Sequence, residues 1–363
     1  MKENTSFARV CPGEAQAAGI MKRTPAQTLI SLLARMGVEY VEGLPKDAYL
    51  GAFLEEFCQN SRWILRILPE KMLQYLVKIW ENDTVEIVGE DWESLQYLNI
   101  FGFLTLSKGN PLTHEPNVIR YAPDMKQAFY FHLKSKKSRA IMEKYTEWEK
   151  VIDGLQHYYG LMEMREFYGC FCHVMKCQPD YEEFITLLKS RSSLWSTALL
   201  LKDRKGEKEY IQFNEVENPE YILLYRGEHE NLPYKYPKKE DVIYLSESAG
   251  VDNRWEGVAE LATFFTEDLK MEYYQTTVLI KTMISMIQNS CEQEELHQKL
   301  EVLPFNNEEE KEKVIAAADH LFHSVPIYEL KGFCRKEYGK MFSQKELKKK
   351  KGMFKIIEGG KRD

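Results

Sequence analysis

Apolar residues recur at helical spacing along much of the chain, and the clearest example lies in residues 24–57. The apolar residues that share one helical face are Leu29, Leu32, Leu33 and Met36 in a first repeat, and Leu50, Phe53, Leu54 and Phe57 in a second. Gly37 follows the first repeat at a position typical of a helix end, and Pro45 precedes the second, where it suits a helix start. The pattern predicts two helices joined by a tight loop.

Two later stretches combine helical and strand-like patterns. Residues 61–133 show a helix, a short strand, a second helix and two strands around a polar loop, which is the outline of a reduced winged-helix-like unit. Residues 140–216 show the order helix, strand, helix, helix and hairpin, so we predict a winged-helix unit there. Its two-stranded wing is expected in residues 197–213, with Gly206 in the turn. The polar run KSKKSR at residues 134–139 is interpreted as a connector.

The remaining residues complete the predicted organisation. Residues 1–21 are expected to form a flexible N-terminus. Residues 217–251, which are rich in Tyr and Pro, are expected to form an irregular connector that wraps the core. Residues 252–342 are predicted to form a helical domain, and residues 343–363 form a basic tail. The predicted fold class is therefore mainly α, with small β-hairpins.

Positions within residues 22–60 match a known helical module without gaps. The matching residues are Thr24, Pro25, Leu29, Ile30, Leu32, Met36, Gly37, Glu39, Lys46, Ala52 and Leu54. They resemble the N-terminal helical domain of the bacterial transcription terminator Rho. The resemblance implies a small Rho-N-like helical module in residues 22–60.

The order of segments in the whole chain is similar to that of a group of uncharacterised bacterial proteins. Those proteins combine a Rho-like N-terminal module, helix-wing segments and, in some members, a cysteine-rich SEC-C metal tail. Residues 326–338 (PIYELKGFCRKEY) resemble the segment that can precede that tail. The tail's Cys-x-Cys and terminal Cys/His pair are absent after this segment, because residues 339–363 contain no Cys or His, so no metal role or partner is carried over from the resemblance.

Composition favours a cytoplasmic protein with no membrane partner. Apolar residues make up 44% and charged residues 29% of the 363 residues, which is typical of a chain that forms packed cores. The longest apolar runs are far too short to span a bilayer. Seven scattered cysteines favour reduced thiols over a secreted disulfide scaffold.

The sequence contains no motif that indicates catalysis. A G-x-S-x-G elbow, a P-loop and a G-x-G-x-x-G fingerprint are all absent from it, so we expect a nonenzymatic protein without a cofactor. Asp319, His320 and His323 form a D-H-x-x-H run that lacks the H-E-x-x-H pattern of hydrolytic zinc sites. We interpret these three residues as part of a helix surface.

A cluster of Cys170, Cys172, His173 and Cys177 is the best candidate for a metal site. On a helix, Cys170, His173 and Cys177 share one stripe. Zinc usually takes four ligands in a structural site, and no second half-site is evident. We therefore expect free thiols that pack against neighbouring residues, and no metal.

Nucleic acid is the first candidate partner, because cations recur on the predicted module, wing and tail. The candidate residues are Lys22, Arg23 and Lys46 in the module, Lys189 and Arg191 on the third helix of the winged-helix unit, Lys202, Arg204, Lys205 and Lys208 on the wing, and Lys348, Lys349, Lys350 and Lys351 in the tail.

Two observations weigh against nucleic-acid binding. Asp180, Glu182 and Glu183 stand at the start of the helix that would enter a major groove, where they would repel phosphate. The net charge is −7, and because residues 343–363 carry eight Lys and Arg against three acids, the rest of the chain is at −12. The leading hypothesis is a nonenzymatic regulator that touches DNA or RNA through wing and tail. The alternative is a protein-interaction scaffold that binds another protein and has no nucleic-acid role.

Overall fold

The computed structural model describes residues 26–35, 38–39, 41, 43–82, 84–87, 104–107, 117–121, 134–195, 198–203 and 206–341. Within these ranges most residues are helical, and two small antiparallel sheets are present. The expectation of a mainly α fold with small β-hairpins is confirmed at this level. The chain divides into two compact units, one of residues 1–149 and 180–197, the other of residues 150–179 and 198–363.

The described elements follow one another in a mostly helical order. They are α1 (Ala26–Arg35), α2 (Lys46–Arg66), α3 (Glu70–Asn82), β1 (Thr84–Ile87), β2 (Leu104–Ser107), β3 (Asn117–Tyr121), α4 (Lys136–Tyr159), β4 (Leu161–Glu163), α5 (Met164–Met175), α6 (Tyr181–Trp195), β5 (Leu199–Lys202), β6 (Glu209–Gln212), α7 (Pro219–Glu228), α8 (Lys239–Glu247), α9 (Val258–Thr263), a π-helical segment (Phe264–Asp268), α10 (Tyr273–Gln288), α11 (Gln293–Glu301) and α12 (Glu308–Ser324). A last helical stretch covers residues 335–341.

The first unit contains the predicted pair of N-terminal helices, α1 and α2. Their described buried residues include Leu29, Leu33, Leu50 and Phe53, which belong to the faces that the sequence pattern predicts. The Tyr49 hydroxyl fastens the loop between the helices, because it accepts a hydrogen bond from Leu44 N at 3.0 Å and donates one to Val41 O at 2.9 Å. Helix α2 continues to Arg66, beyond the end of the predicted module at residue 60.

A three-stranded sheet in the first unit contains the strands predicted in residues 61–133. Strand β3 lies between β1 and β2, and both pairings are antiparallel. Leu104 of β2 stands opposite Tyr121 of β3, as in a hairpin around the predicted polar loop. The helix that was predicted between β1 and β2 lies outside the described residues.

The elements predicted in residues 140–216 occur in the expected order, including the wing. In the second unit, β6 pairs antiparallel with β4 on one side and β5 on the other. Gly206 occupies the hairpin turn with φ +71°, and Asp203 N donates to Lys208 O at 3.0 Å to close it. Helix α6 belongs to the first unit and the sheet to the second, so a single winged-helix domain remains a prediction.

The expectation of an irregular connector in residues 217–251 is wrong over much of its length, because this segment contains α7 and α8. Asn218 caps α7 by accepting a hydrogen bond from Tyr221 N at 3.0 Å, and Pro219 fits the first helical position. Glu240 and Asp241 lie in the first turn of α8, where acids suit the helix dipole. These local start signals outweigh the Tyr- and Pro-rich composition.

A helical core fills the C-terminal part of the second unit, as predicted for residues 252–342. The buried residues of this core include Val258, Leu261, Phe265, Met283, Ile284, Ile287, Val314, Ala318 and Leu321. Helix α9 starts directly against α12: a Cβ atom added at Gly257 would lie 2.0 Å from Ala317 O. Gly257 also has φ +90°, so glycine serves both the close approach and the backbone conformation.

Arg226 joins separate parts of the second unit through backbone carbonyls. This buried side chain donates to Tyr159 O at 2.6 Å, to Leu161 O and to Tyr328 O at 2.9 Å. Tyr328 in turn donates its hydroxyl hydrogen to Gln288 Oε1 at 3.0 Å. The end of α4, the start of β4 and the segment after α12 are thereby held together.

Candidate nucleic-acid interface

The wing carries two of the predicted cations in the described part of the chain. Lys202 at the end of β5 and Lys208 just before β6 are both exposed, and they stand near each other at the turn end of the hairpin. Lys202 Nζ lies 3.8 Å from Glu209 Oε1, so part of its charge is offset. The described acids at this end of the hairpin are Asp203, Glu207 and Glu209. Arg204 and Lys205 lie outside the described residues.

Arg191 of α6 is not placed to bind phosphate, contrary to the sequence-based expectation. Its side chain is 3% exposed and lies inside the first unit. It donates to Ile67 O at 3.1 Å and Leu68 O at 3.3 Å, and its Nη1 lies 3.0 Å from Glu149 Oε2. Arg191 therefore bridges the end of α2 and helix α4, and its charge is already matched by Glu149.

The acidic start of α6 is anchored on α4 within the first unit. Lys144 Nζ donates to Glu183 Oε1 at 2.7 Å, and the Tyr145 hydroxyl donates to the same oxygen at 2.8 Å. Burial alone would raise the pKa of Glu183, but these two hydrogen bonds bring the pKa below its usual value. Glu183 therefore stays ionised at neutral pH, and exposed Glu182 beside it adds a second negative charge. This helix start is poorly suited to a phosphate backbone.

Four cations cluster at the start of α4, in the segment that the sequence reading treats as a connector. Lys134, Lys136, Lys137 and Arg139 are all exposed. Ser135 caps the helix: its Oγ accepts from Ser138 N at 3.3 Å and its carbonyl oxygen accepts from Arg139 N at 3.0 Å. We call these four cations the basic helix start. Among the described residues, no carboxylate forms an ion pair with Lys136, Lys137 or Arg139.

The basic helix start has the electrostatics of an anion site. Positive charges near a helix N-terminus oppose the helix dipole by about 0.3 to 1 kcal/mol each, and the first turn of α4 contains no acid to compensate. The free N–H groups of a helix start and nearby cations both attract phosphate. A cleft of about 460 Å³ opens beside it in the first unit. Its charged lining residues are the cations Lys134 and Arg139 and the acids Glu81 and Glu143, so the cations and acids of the cleft are balanced in number.

Two further predicted cations lie in the described residues, and neither is fully exposed. Lys46 is half-buried at the start of α2, and Lys189 is half-buried on α6. The predicted cations that lie outside the described residues are Lys22, Arg23, Arg204, Lys205, Lys348, Lys349, Lys350 and Lys351. The sequence shows the basic helix start as four cations within residues 134–139, but the polar composition of this segment is equally typical of a connector.

The predicted cysteine and histidine cluster has other contacts. The His173 ring stacks on Tyr236 with a centroid distance of 4.1 Å. Burial raises the pKa of the Cys170 thiol to about 12, so this thiol stays protonated and is a poor nucleophile or metal ligand. Over the ranges that the structure describes, no three His, Cys, Asp or Glu side chains are grouped to hold a metal ion.

The D-H-x-x-H run on α12 is split between two environments. His320 and His323 are exposed, as expected of a helix surface. Asp319 instead joins α12 to α11, because its Oδ1 lies 2.6 Å from His297 Nε2 and accepts from Gln293 Nε2 at 2.6 Å. These contacts account for the run as a packing feature.

The chain matches no family model, no curated protein and no solved structure. The likeness of residues 22–60 to the Rho module, and of the whole layout to the bacterial group, therefore stays a resemblance based on sequence. Within the described residues, no helix has both the length and the apolar character needed to cross a membrane.

Proposed function

We propose that this protein is a nonenzymatic nucleic-acid-binding protein that contacts the phosphate backbone of DNA or RNA. The observation that carries the proposal is the basic helix start, with Lys136, Lys137 and Arg139 exposed and without ion pairs to described carboxylates. Cations that oppose the dipole of their own helix do not stabilise that helix, so a role in binding anions explains them better. The wing and tail cations supply further phosphate contacts in this proposal.

The proposed binding is weakly selective for sequence. The helix that would read bases in a winged helix, α6, begins with Glu182 and ionised Glu183, and its Arg191 is buried. Phosphate contacts position a protein on a nucleic acid but carry little sequence information. We therefore expect a dissociation constant of about 10⁻⁴ to 10⁻⁶ M at physiological salt, with similar values for unrelated sequences.

A charge-removal experiment tests this function. The full chain and a Lys136→Ala/Lys137→Ala/Arg139→Ala variant are titrated against fluorescent duplex DNA, single-stranded DNA and RNA by anisotropy. A matched control removes three exposed cations elsewhere, Lys238→Ala/Lys299→Ala/Lys340→Ala. The first variant should lose about tenfold in affinity at about 50 mM salt. The slope of its log affinity against log salt concentration should flatten by the equivalent of up to about three phosphate contacts, while the control changes little. Equal losses in both variants, or no binding by the unmodified chain, would overturn the proposal.

A protein-interaction scaffold is the second candidate, and strand β5 favours it. This strand lies at the edge of its sheet, and Leu199 and Leu200 on it are 51% and 38% exposed. An apolar edge strand is a template for pairing with a strand of another chain. Pull-downs with and without nuclease separate the two functions: a partner that survives nuclease and is lost on Leu200→Lys supports the scaffold.

A further inference from the structure

A groove in the second unit runs between α12 on one side and α9 with the π-helical segment on the other. Its volume is about 780 Å³. The apolar residues that line it include Ala259, Phe264, Val314 and Ala317, and its acids are Glu260, Asp268, Glu309 and Glu310. An apolar floor with a charged rim fits an extended segment that carries both apolar and cationic side chains. We call this feature the acidic groove.

Part of the negative charge in the acidic groove has no local structural role. Glu309 pairs with Lys313 at 2.7 Å, and Glu310 accepts a hydrogen bond from Asn306 N at 2.6 Å. Glu260 and Asp268 are exposed, and neither forms an ion pair with another described residue. Asp268 also ends the π-helical segment, where a negative charge opposes the helix dipole. Lys313 also lines the groove; its pKa is raised mainly by Glu309 and to a lesser degree by the charge of Asp268. Because Lys313 pairs with Glu309, both Glu260 and Asp268 can accept a cationic ligand.

The π-helical segment shapes the side of the groove that carries Phe264 and Asp268. Its wider turn is closed by a hydrogen bond from Leu269 N to Phe264 O at 3.1 Å, five residues apart. Such turns are rare, and they occur frequently at functional sites. The backbone of this wall thus departs from regular helix at the two residues that face the groove.

The chain leaves the described part of the second unit close to one end of the groove. Lys336 Nζ lies 2.5 Å from Glu256 Oε1, just before Gly257, where α9 packs against α12. The pKa of Glu256 is lowered first by the hydrogen bond from Lys336, and also by the nearby charges of His320 and Lys340. His320 itself lines the groove. Lys336 and Lys340, among the last described residues, therefore lie near the His320 end.

The tail has the charge, composition and length to fill the groove. Residues 343–363 carry eight Lys and Arg against three acids, interspersed with Leu347, Met353 and Phe354. Along α12 the groove extends from Asn307 to His320, which is about 20 Å at 1.5 Å per residue. Ten extended residues span about 33 Å, so the first half of the tail is long enough.

We propose that the acidic groove binds the chain's own basic tail, with Glu260 and Asp268 as the principal partners of the Lys348–351 run. The contact is electrostatic at its rim and apolar at its floor. It holds at low salt and opens as salt rises, because exposed charges are screened. A second copy of the chain, or a basic segment of another protein, would be a different occupant and gives different results in the test below.

Limited trypsin digestion of the full chain tests the proposal, because Lys348–351 are trypsin sites. The initial rate of tail cleavage is followed by intact mass and divided by the rate for a free peptide of residues 343–363. The Glu260→Gln/Asp268→Asn variant should raise this ratio about fivefold at about 50 mM salt, and about 0.5 M salt should do the same for the unmodified chain. A control with the exposed acids Glu228→Gln/Glu312→Gln should leave it unchanged.

Three results would overturn the proposal. Equal ratios for the groove variant and the control would show that the groove does not protect the tail. If salt does not change the cleavage ratio of the unmodified chain, electrostatic contacts with the groove do not protect the tail. Protection that grows with protein concentration would assign the groove to the tail of a second copy.

Discussion

At the scale of single residues, Arg191 shows how burial decides a side chain's role. Its neighbours in sequence suggest an exposed cation beside Lys189, yet the guanidinium group lies inside the first unit with Glu149 and two backbone carbonyls. A charge in such a place is held by its partners and is costly to leave unmatched. The residue therefore supports folding of the first unit.

Replacing Arg191 with alanine should destabilise the first unit without a specific loss of nucleic-acid binding. The change leaves Glu149 without its buried partner, so the free energy of unfolding should fall by about 3 to 5 kcal/mol. Lys137→Ala serves as the control, because an exposed cation that opposes a helix dipole should cost less than about 0.5 kcal/mol or stabilise slightly. Urea unfolding followed by circular dichroism measures both. Similar midpoints for the two variants would contradict the buried role of Arg191.

Two groups on α4, half-buried Asp153 and buried His157, make the stability of the second unit depend on pH in opposite directions. Burial raises the pKa of Asp153 to about 6, although its hydrogen bond with Ser246 acts in the other direction. Burial and the charge of Lys281 lower the pKa of His157 to about 4. As pH rises from about 4 to 6, the favourable contribution of Asp153 to the free energy of unfolding is lost, because its carboxyl group ionises more readily in the unfolded chain than in the folded one. Over the same range the His157 contribution is gained, so the two effects offset.

An Asp153→Asn substitution should reveal how His157 makes stability depend on pH when Asp153 no longer opposes it. The amide keeps a polar partner for Ser246 but does not ionise, so the variant should be more stable than the unmodified chain at pH 7 by about 1 to 3 kcal/mol. Its stability should then fall more steeply as pH drops from about 6.5 to 4, because the Asp153 contribution no longer offsets that of His157. Urea unfolding at several pH values measures this. Parallel pH profiles for the two proteins would show that the pKa of Asp153 is not raised in the folded chain.

At the scale of elements, local patterns were sufficient for much of the fold. The periodic apolar faces of α1, α2 and α3 and the turn around Gly206 are readable because the signals lie within a few residues of one another. Helices α7 and α8 could have been found from Asn218-Pro219 and from Glu240-Asp241, but the surrounding composition obscured them. In such segments, apolar spacing and cap residues predict helices better than overall composition does.

The candidate sites were harder to predict, because they depend on tertiary placement. The acidic groove joins residues near 260 to residues near 310, and no local pattern in the sequence connects them. The burial of Arg191 depends on contacts with the end of α2, more than a hundred residues earlier. The basic helix start differs, because four cations within residues 134–139 are a local signal whose helical context was missed.

The junction of α9 with α12 should be intolerant of any side chain at Gly257. In Gly257→Ala the new Cβ would meet Ala317 O at 2.0 Å, in a backbone conformation with φ +90°. The two helices would have to separate, so the loss of stability should exceed about 3 kcal/mol. Gly169→Ala on α5 is the matched control: no atom lies within 4 Å of its Cβ position, and alanine favours a helix by about 1 kcal/mol. Thermal unfolding should shift down for the first variant and slightly up for the second.

At the scale of the whole molecule, charge is segregated along the chain. Residues 343–363 are at +5, whereas the remainder is at −12. A body with this charge repels nucleic acid at long range, so any binding depends on local groups of cations such as the basic helix start, the wing and the tail. Charge segregation also favours the proposed binding of the tail in the acidic groove. Under the two proposals, phosphate and groove compete for one segment.

Removal of residues 343–363 should weaken nucleic-acid binding uniformly across sequences. The truncated chain loses eight cations, so its salt slope should flatten more than that of an Arg204→Ala/Lys205→Ala/Lys208→Ala variant, which can lose at most about three phosphate contacts. Anisotropy titrations with several unrelated duplexes and single strands at about 50 to 200 mM salt measure both. A loss confined to one sequence would point to base recognition and against phosphate contact.

The acidic groove leads to a second prediction, in which affinity for nucleic acid rises instead of falling. If the tail moves between groove and phosphate, Glu260→Gln/Asp268→Asn should increase affinity for nucleic acid in the full chain, because the tail is released and the protein loses two negative charges. In the truncated chain only the second effect remains, so the gain should be smaller there. Equal gains in the two chains would mean that the groove acts on nucleic acid through its charge alone. The comparison of full and truncated chains thus separates competition for the tail from simple repulsion.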